Sequence, residues 1–446
     1  MLTCLRNIAA RQSTPCIFIT KRTCSQKVNF YFTTIHETSS MSVYILTDFK
    51  EIIYYVNNNC FSYFLIVNNL IRTIINYHYL CWKNLPMYST LIFRLRQASK
   101  KYPRRIFSGI QPTGKVHIGN YLGAVQKWVH LQNTEEHTMW SVVDLHAITL
   151  PQDPKVLNSN ILDMTATLLA CGIDPRKSIL FQQSTVSMHA ELCWVLSSIS
   201  TMARLARLPQ YKEKSELLKN IPLGLYVYPV LQAADILLYR STHIPVGEDQ
   251  VQHIQLTQEL AESFNNKFGE TFPIPHAIVN ASSQRIKSLR HPSKKMSKSG
   301  NDPRGYINIT EDPDEIARKL KKAVTDFTSA VTYDPAERPG VSNLITIHSD
   351  LTGKTFDEIC KEAETLDTGK YKLVVIDVVL EKLKPIREEY LRLIKEPGYL
   401  QEILEEGGGR AVEIAAECWY DVKRKVAPKS CTISTASVLQ VATTCK

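Results

Sequence analysis

Two short segments carry residues suited to binding the phosphates of a nucleotide. His117-Ile-Gly-Asn120 stands where a loop is predicted to enter a helix, and Lys294-Lys-Met-Ser-Lys-Ser-Gly300 stands far along the chain. A helix N-terminus offers backbone N–H groups and a partial positive charge to an anion. Lys295 and Lys298 are point charges suited to phosphate oxygens that gain charge during phosphoryl or nucleotidyl transfer. Each segment alone is more typical of an exposed surface, but the two together predict a nucleotide site.

A third segment is similar to the P-loop, a different nucleotide-binding motif. Residues 109–116, Gly-Ile-Gln-Pro-Thr-Gly-Lys-Val, nearly fit the P-loop pattern G-x-x-x-x-G-K-[ST] and follow a predicted strand. Val116 has no hydroxyl group to hold Mg²⁺, which P-loop enzymes need at that position. A P-loop NTPase is therefore the weaker alternative, and the lack of G-x-G-x-x-G argues against a dinucleotide dehydrogenase.

The elements that must position these residues alternate between strands and helices. Strands are predicted over residues 105–109, 138–143, 178–181, 243–246 and 277–279, and helices from residue 118 and over 158–171, 190–199, 226–239 and 251–264. This alternation indicates an open parallel α/β sheet. Beyond about residue 305 the pattern is helical, with helices predicted over 314–323, 357–365, 370–393 and 399–426.

The net charge of +10 is unevenly distributed along the 446 residues. Residues 1–105 hold 14 Lys and Arg but only three acids, whereas the remaining residues hold 39 Lys and Arg and 40 acids. The first 35 residues contain no acid before Glu37 and are rich in Ser and Thr, which is the composition of a mitochondrial transit peptide. A second segment of this kind begins at Met87, and one hypothesis is that translation starts there. We therefore predict a disordered leader over residues 1–103 and a mitochondrial matrix location.

Cysteines and apolar runs exclude two further classes. Five of the eleven cysteines lie in the leader region and two near the C-terminus, while Cys171, Cys193, Cys360 and Cys418 form no Cys-x-x-Cys pair. We expect no zinc site and no disulfide framework. The most apolar stretch, 52–75, is interrupted by asparagines, so that we predict no membrane span or membrane partner.

The nucleotide segments and their surroundings resemble the class I aminoacyl-tRNA synthetases. Lys295-Met-Ser-Lys-Ser299 is similar to the second signature of that class, and His117–Asn120 is similar to the first. Residues 107–114, 228–239 and 245–250 resemble the tryptophanyl-tRNA synthetase family in its bacterial and mitochondrial form. The resemblance runs from about residue 105 to 426 and implies three parts: a Rossmann-like catalytic domain over 104–305, an all-helical anticodon-binding domain over 306–427 and a loose tail over 428–446.

The resemblance implies that the chain activates tryptophan with ATP, releases pyrophosphate and esterifies the 3′-terminal ribose of tRNA(Trp). Catalytic roles fall on five residues: His117, Asn120, Lys214, Lys295 and Lys298. The residues implied to bind ATP are Gln111, Thr113, Gly119, Asn120, Gly247, Glu248, Asp249, Gln250, Ile286, Lys295, Met296, Ser297, Lys298 and Ser299. Mg²⁺ is expected as the ATP counter-ion and no protein-bound metal is expected. The family is dimeric.

Substrate choice is expected to rest on Asp235. Indole has one polar atom, an N–H donor, and a buried carboxylate is a suitable acceptor for it. A helix-capping or ion-paired role for Asp235 is the alternative. The other residues implied to bind tryptophan are Phe107, Gly109, Val143, His146, Tyr228 and Gln232. Gln232 stands where many relatives carry Met, and Gly300 stands where Asp is usual, so that the polarity of the pocket and the geometry of the lysine loop are open.

Three other functions remain as alternatives at this point. One is tyrosine specificity, since the tyrosine enzyme is a structural sibling, and another is the P-loop NTPase. The third is a catalytically silent RNA-binding protein built on a synthetase body. Arg318, Lys319, Lys321 and Lys322 form a basic cluster that is equally consistent with contact to tRNA phosphates and with a solvated helix face.

Overall fold

The computed structural model describes residues 18–24, 27–33, 102–135, 137–208, 220–279, 286–297 and 302–426. The chain divides into two units, Met1–Arg96 and Gln97–Lys446. The first unit contains strands β1 (Phe18–Cys24) and β2 (Lys27–Thr33), which pair antiparallel with Phe18 opposite Thr33. The disorder predicted for residues 1–103 stays a prediction. The remainder of the predicted leader up to residue 101, and the predicted tail, lie outside the described residues.

Five parallel strands form the sheet of the second unit. They are β3 (Ile106–Ile110), β4 (Thr138–Val142), β5 (Ile179–Gln182), β6 (His243–Pro245) and β7 (His276–Ile278). Their spatial order is β5-β4-β3-β6-β7, with Ile106 opposite both Thr138 and His243. Each predicted strand is confirmed to within one residue at either end. After β3 the chain forms β4 and β5 on one side of β3, and it then forms β6 and β7 on the other side. The strand order therefore reverses between β3 and β6.

The helix after β3 begins where the sequence predicted it, but it is not uniform. It comprises α1 (Ile118–Asn120), a π-helical turn (Tyr121–Val125) and α2 (Gln126–Thr134). The π turn inserts an extra residue per turn, a feature often found at functional sites. Gly123 lies inside it, and a Cβ at this position would meet no atom within 4 Å. One side of the helix therefore leaves open space beside the sheet.

The remaining helices of the α/β part surround the sheet. They are α3 (Asp144–Ala147), α4 (Pro154–Ala170), α5 (Met188–Ser197), α6 (Met202–Leu205), α7 (Leu223–Leu238) and α8 (Val251–Phe268). Helix α4 starts four residues before its predicted beginning because Asp153 caps it, accepting hydrogen bonds from the N–H groups of Lys155 and Val156. None of the helices described in this chain is long and apolar enough to cross a membrane.

The C-terminal part is helical as predicted, but one helix was not predicted. The helices are α9 (Pro313–Lys321), α10 (Pro339–Thr352), α11 (Phe356–Glu362), α12 (Thr368–Leu393) and α13 (Pro397–Val426). Helix α10 is buried from Gly340 to His348 without a break. A helix that is apolar or buried all round shows no amphipathic period, which is why periodicity did not reveal it. Its residues Leu344 and Ile345 share one apolar core with Ile106 and Trp140 of the sheet.

Helix α13 crosses strand β5 at unusually short range. Gly407 and Gly408 lie in the middle of this helix, where glycine costs about 1 kcal/mol relative to alanine. A Cβ at Gly407 would overlap the carbonyl oxygen of Leu180 in β5, and a Cβ at Gly408 would lie 2.8 Å from Thr185 Oγ1. The glycines therefore permit the helix backbone to lie directly on the strand. At the next position, Gly409, a Cβ would meet nothing within 4 Å.

We predict opposite effects for alanine at two neighbouring glycines. Gly407→Ala should lower the free energy of unfolding by about 1–3 kcal/mol, because the added methyl group forces the helix away from Leu180. Gly409→Ala should raise it by about 0.5–1 kcal/mol, because alanine is the better helix former and has room there. Urea unfolding of the two variants beside the parent chain measures both changes. Equal changes of the same sign would show that the close approach is not the reason for the glycines.

Candidate active site

A cavity of about 860 Å³ lies at the carboxyl ends of β3 and β6, where the strand order reverses. Ligands of open α/β sheets bind in this kind of crevice because the adjacent loops diverge to opposite sides of the sheet. All seven residues predicted to bind tryptophan line the cavity: Phe107, Gly109, Val143, His146, Tyr228, Gln232 and Asp235. The sheet topology thus brings together residues from β3, from the segment after β4 and from α7 that are far apart in sequence.

Asp235 lies on α7 with its carboxylate 2% exposed and surrounded by hydrogen-bond donors. His146 Nε2 lies 2.7 Å from Oδ2, and His189 Nδ1 lies 2.7 Å from Oδ1. The Gln183 amide donates to both oxygens at 2.8 and 2.9 Å. The ion-paired arrangement that sequence analysis left as an alternative is therefore present. This arrangement does not exclude contact between Asp235 and a ligand, because Asp235 also lines the cavity. A donor of the ligand would replace one of the present hydrogen-bond donors.

The charge state of Asp235 follows from these neighbours. Burial by itself disfavours the ionised form, but the charge of His189 and the hydrogen bonds from His146 and His189 outweigh it and hold the pKa of Asp235 below its ordinary value. Asp235 is thus a carboxylate at neutral pH and can only accept hydrogen bonds. The Tyr239 hydroxyl lies 2.7 Å from His189 Nε2 and fixes the second ring nitrogen of this histidine.

The wall beside Asp235 is mainly apolar. Phe107 and Val143 are buried, and Phe107 stacks on Tyr239 with 5.5 Å between ring centroids. A Cβ at Gly109 would lie 2.7 Å from Val143 Cγ1, so that glycine is needed for this packing. The amide of Gln232, whose effect on pocket polarity was open, donates to Gln250 at 3.4 Å. Gln250 also lies 2.9 Å from His253 Nδ1, and its side chain accordingly connects the pocket to the loop after β6.

A second cavity of about 260 Å³ adjoins the first, and residues predicted to bind ATP line it. Those residues are His117, Gly119, Asn120, Gly247, Glu248, Asp249, Gln250, Ile286, Lys295 and Met296. Ile286 and Met296 are buried and supply an apolar surface, whereas Glu248 and Asp249 are exposed carboxylates opposite them. Gln111 lines the larger cavity. Thr113 and Ser297 are exposed and belong to neither lining.

The helix that begins at Ile118 carries the first signature and is called the signature helix below. The sequence predicted free backbone N–H groups at its start, and the structure differs. His117 caps the helix, and its Nδ1 accepts from the Asn120 N–H at 3.2 Å. The Ile118 N–H donates to the carbonyl of Ile307 at 2.8 Å. These two amides are therefore already engaged within the protein. The His117 ring lies over Gly119, where a Cβ would come within 3.1 Å of it, and so the glycine keeps this end of the smaller cavity open.

Lys295 is the predicted catalytic lysine that the structure describes in full. It lines both cavities, is 59% exposed, and its Nζ lies 3.8 Å from Asp249 Oδ1. Its backbone forms an isolated bridge with Lys287, and the Met296 N–H donates to the Ile286 carbonyl at 2.9 Å. The loop is thus anchored up to Met296. Lys214, Lys298 and Ser299, together with Gly300, lie outside the described residues.

The structure bears on the P-loop alternative, which Val116 disfavoured, and on the basic cluster. Val116 of the P-loop-like segment is buried in the apolar core, so the position that would hold Mg²⁺ in a P-loop faces away from solvent. In the basic cluster, Lys319 is 4% exposed; its Nζ lies 2.6 Å from Glu311 Oε1 and donates to the Tyr306 carbonyl at 3.1 Å. Arg318 pairs with Glu315. Lys319 therefore serves the fold rather than a phosphate surface.

Several residues of the site were not predicted. Gln183 and His189 hold Asp235, while Lys127 and Asp350 line the smaller cavity. Gln183 directly follows β5 at the same sheet edge as Gly109 and Val143, and this position could have revealed it. His189 and Asp350 lie on helices with no motif around them, so nothing in the sequence distinguished them.

Known proteins share this chain's sequence and fold. Residues 99–382 match the family described as tRNA synthetases class I (W and Y). A tryptophan–tRNA ligase from Caldanaerobacter subterraneus is 47% identical over 323 residues, which covers 72% of this chain and 98% of the relative. Tryptophanyl-tRNA synthetase from Mycoplasma pneumoniae superposes with a TM-score of 0.69 at 31% identity, covering 75% of this chain and all of that one.

The similarity extends to a ligand-bound structure. Tryptophanyl-tRNA synthetase from Campylobacter jejuni, complexed with ADP and tryptophan, superposes with a TM-score of 0.64 at 33% identity, covering 73% of this chain and all of that one. The parts of the chain outside these matches include the N-terminal leader. The chain belongs to the class I aminoacyl-tRNA synthetases of the tryptophan and tyrosine family, as a member of its bacterial-type tryptophan–tRNA ligases.

Proposed function

We propose that this protein is the tryptophan–tRNA ligase of mitochondrial translation. The observation that carries the amino-acid assignment is the buried carboxylate of Asp235 in the apolar cavity beside the nucleotide residues. Indole is large, apolar and carries a single N–H donor, and this pocket offers apolar walls and one buried carboxylate as acceptor. Gln183 donates to both oxygens of Asp235, so that one of these hydrogen bonds can give way to the indole N–H.

The two cavities divide the substrates between them. Tryptophan would occupy the larger cavity with its indole at Asp235, and the adenosine of ATP would occupy the smaller one. Ile286 and Met296 would contact the adenine, and the carboxylates of Glu248 and Asp249 are suited to accept from the ribose hydroxyls. Asn120, His117 and Lys295 would hold phosphates, together with Lys214, Lys298 and Ser299. Mg²⁺ prefers phosphate oxygens and water to a full set of protein ligands, and it would enter with ATP.

The chemistry of activation asks little of the protein beyond positioning. The carboxylate of tryptophan is already ionised and attacks the α-phosphorus without a protein nucleophile. Holding two reactants in line and stabilising the charge that develops on the phosphate are then the main catalytic effects. The amino acid is subsequently transferred to the terminal ribose of tRNA, for which the helices α9 to α13 would provide the anticodon-binding part.

We also propose that the protein forms a homodimer through α5, α6 and the start of α7. Trp194, Met202 and Leu223 are 77%, 75% and 74% exposed, one on each of these helices. Ile148 is also exposed, and its neighbour Thr149 lies 3.7 Å from where a Cβ on Gly224 would stand. An exposed apolar patch of this kind marks an interaction site, and a two-fold axis would bury it against its own copy.

The mitochondrial part of the proposal rests on the leader. Its composition, basic and nearly free of acids, is that of a transit peptide, and it precedes the segment that matches the family. A bacterial-type enzyme with such a leader fits an organelle of bacterial ancestry. N-terminal sequencing of the endogenous protein from purified mitochondria tests this assignment, and a full-length protein found only in another compartment would contradict it.

ATP–pyrophosphate exchange tests the amino-acid assignment directly. We expect exchange that depends on tryptophan, with tyrosine at least about 100-fold poorer in kcat/KM, because its phenol is smaller than indole and cannot both reach Asp235 and fill the apolar walls. Charging of mitochondrial tRNA(Trp) under the same conditions should follow. Exchange with tyrosine alone would assign the sibling specificity, and exchange with neither amino acid would favour the catalytically silent RNA-binding alternative.

Asp235→Asn should damage tryptophan use and spare ATP. The amide keeps the shape of the side chain but loses the charge that holds His146 and His189, and we expect kcat/KM for tryptophan to fall by about 100-fold or more. The KM for ATP should change by less than about threefold. Steady-state exchange with each substrate varied in turn measures both. A comparable loss for ATP would mean that Asp235 supports the fold of the site rather than the recognition of indole.

Replacing one apolar side chain of the patch should break the dimer. Trp194→Glu places a charge at the centre of the buried surface, and sedimentation velocity should show a monomer at concentrations where the parent chain is dimeric. Phe327→Glu is the control, because Phe327 is an even more exposed aromatic residue on the loop before α10, away from the patch. A parent chain that sediments as a monomer, or an equal effect of both substitutions, would contradict the proposed interface.

A further inference from the structure

The two cavities share part of their lining. Gly123, Ala124 and Lys127 line both from the side of the signature helix, and residues 246–250 and Lys295 line both from the opposite side. With tryptophan in one cavity and adenosine in the other, the carboxylate that attacks and the α-phosphate that is attacked must meet between these shared residues. The chemistry of the first step is therefore confined to a small part of the site.

Lys127 brings a cation to this junction. Among the described residues that line both cavities, it and Lys295 are the lysines, and no arginine is present. Lys295 is exposed and faces Asp249, whereas the Nζ of Lys127 is buried and has no hydrogen-bond partner among the residues that the structure describes. Lysine side chains on a helix lean toward its N-terminus, which brings Lys127 over the open space at Gly123. The ammonium group is closed to water as it stands, and a turn of the Lys127 side chain would bring it to an anion at the junction.

Asp350 is the charge that makes the burial of Lys127 tolerable. It lies on α10, lines the smaller cavity and attracts Lys127 electrostatically across the boundary between the sheet and the helical part. Burial lowers the pKa of Lys127 and raises the pKa of Asp350 to about 6, while each group opposes the shift of the other. A buried ammonium without any counter-charge would be costly. Asp350 therefore offsets the cost of burying the Lys127 ammonium only in part.

We propose that Lys127 is a further substrate-binding residue of the activation step, whose ammonium binds the non-bridging oxygens of the ATP α-phosphate. The inference rests on the proposed tryptophan activation. In that step a carboxylate oxygen of tryptophan forms a bond to the α-phosphorus, and the bond from that phosphorus to the bridging oxygen of pyrophosphate breaks. The electron pair leaves with pyrophosphate, and no proton is transferred. Negative charge accumulates on the α-phosphate oxygens meanwhile, and a fixed cation in a water-poor site stabilises it.

A purely structural role for the pair makes a different prediction. If Lys127 served only to join the signature helix to α10, removing either partner would break the same interaction with similar consequences. If Lys127 binds phosphate, only the lysine matters for activity, and Asp350 merely offsets the cost of burying it. The double variant separates the two cases, because it removes both charges and leaves neither group buried alone.

The test compares Lys127→Met, Asp350→Asn and the double variant Lys127→Met/Asp350→Asn by tryptophan-dependent ATP–pyrophosphate exchange. We expect both variants that lack Lys127 to lose about 10- to 100-fold in kcat/KM for ATP. Asp350→Asn should lose clearly less than the variants that lack Lys127, because it keeps the ammonium but leaves that group without its counter-charge. Lys155→Met is the control for loss of a positive charge, since Lys155 is exposed at the start of α4 and lines neither cavity.

Equilibrium binding adds a readout that a structural role would not move. Lys127→Met should weaken ATP and AMP, which carry the α-phosphate, and leave adenosine within about twofold. Equal loss for adenosine, unchanged kinetics in the double variant, or a loss in Asp350→Asn as large as in Lys127→Met would overturn the proposal. If Lys127→Met does not fold, the double variant alone decides. A parent chain without any exchange would contradict the proposed function instead, which is a distinguishable outcome.

Discussion

The reversal of strand order between β3 and β6 is the constraint on which the site depends. Five parallel strands in the order β5-β4-β3-β6-β7 force the loops after β3 and β6 to opposite faces of the sheet. The crevice that results receives Phe107 and Gly109 from one strand and the segment Gly247–Gln250 from the next. Because both cavities open into this crevice, two ligands bound in them would lie next to each other.

Within the crevice, the buried carboxylate of Asp235 holds the surrounding elements of the larger cavity together. Asp235 has no solvent to hydrate it, and its ionised form persists because His146, His189 and Gln183 surround it. These three residues come from α3, α5 and the turn after β5, so that one carboxylate holds three elements in register. Apolar pockets distinguish ligands weakly by size, but a polar group that would be left unpaired distinguishes them strongly. The same residue thus holds the site in order and, in the proposed function, would also select the amino acid.

Much of this arrangement could be predicted from the sequence, because strands, amphipathic helices and short motifs are local signals. The strand limits, the lining by His117–Asn120 and by Gly247–Gln250, and the position of Asp235 belong to this class. Helix α10 could not be predicted, because burial on all sides removes the period on which such predictions depend. Lys319 looked like part of a basic face, but its partners Glu311 and Tyr306 are brought to it by the fold.

The partners of Asp235 and the Lys127–Asp350 pair illustrate the same limit. His189 lies on α5 and Asp350 on α10, and their importance arises only when these helices meet residues that are distant in sequence. A lone histidine or aspartate on a helix carries no signal of its own. Tertiary contact, which has no local pattern, therefore accounts for the part of the site that sequence reasoning missed.

The glycines of α13 have a mechanical consequence. The helix runs for 30 residues, or about 45 Å at 1.5 Å per residue, and it lies on the backbone of β5 without intervening side chains. Strand β5, which the helix contacts, ends directly before Gln183, and the Gln183 amide donates to both oxygens of Asp235. The close contact couples the position of α13 at Gly407 to strand β5, and through β5 to the amide that holds Asp235.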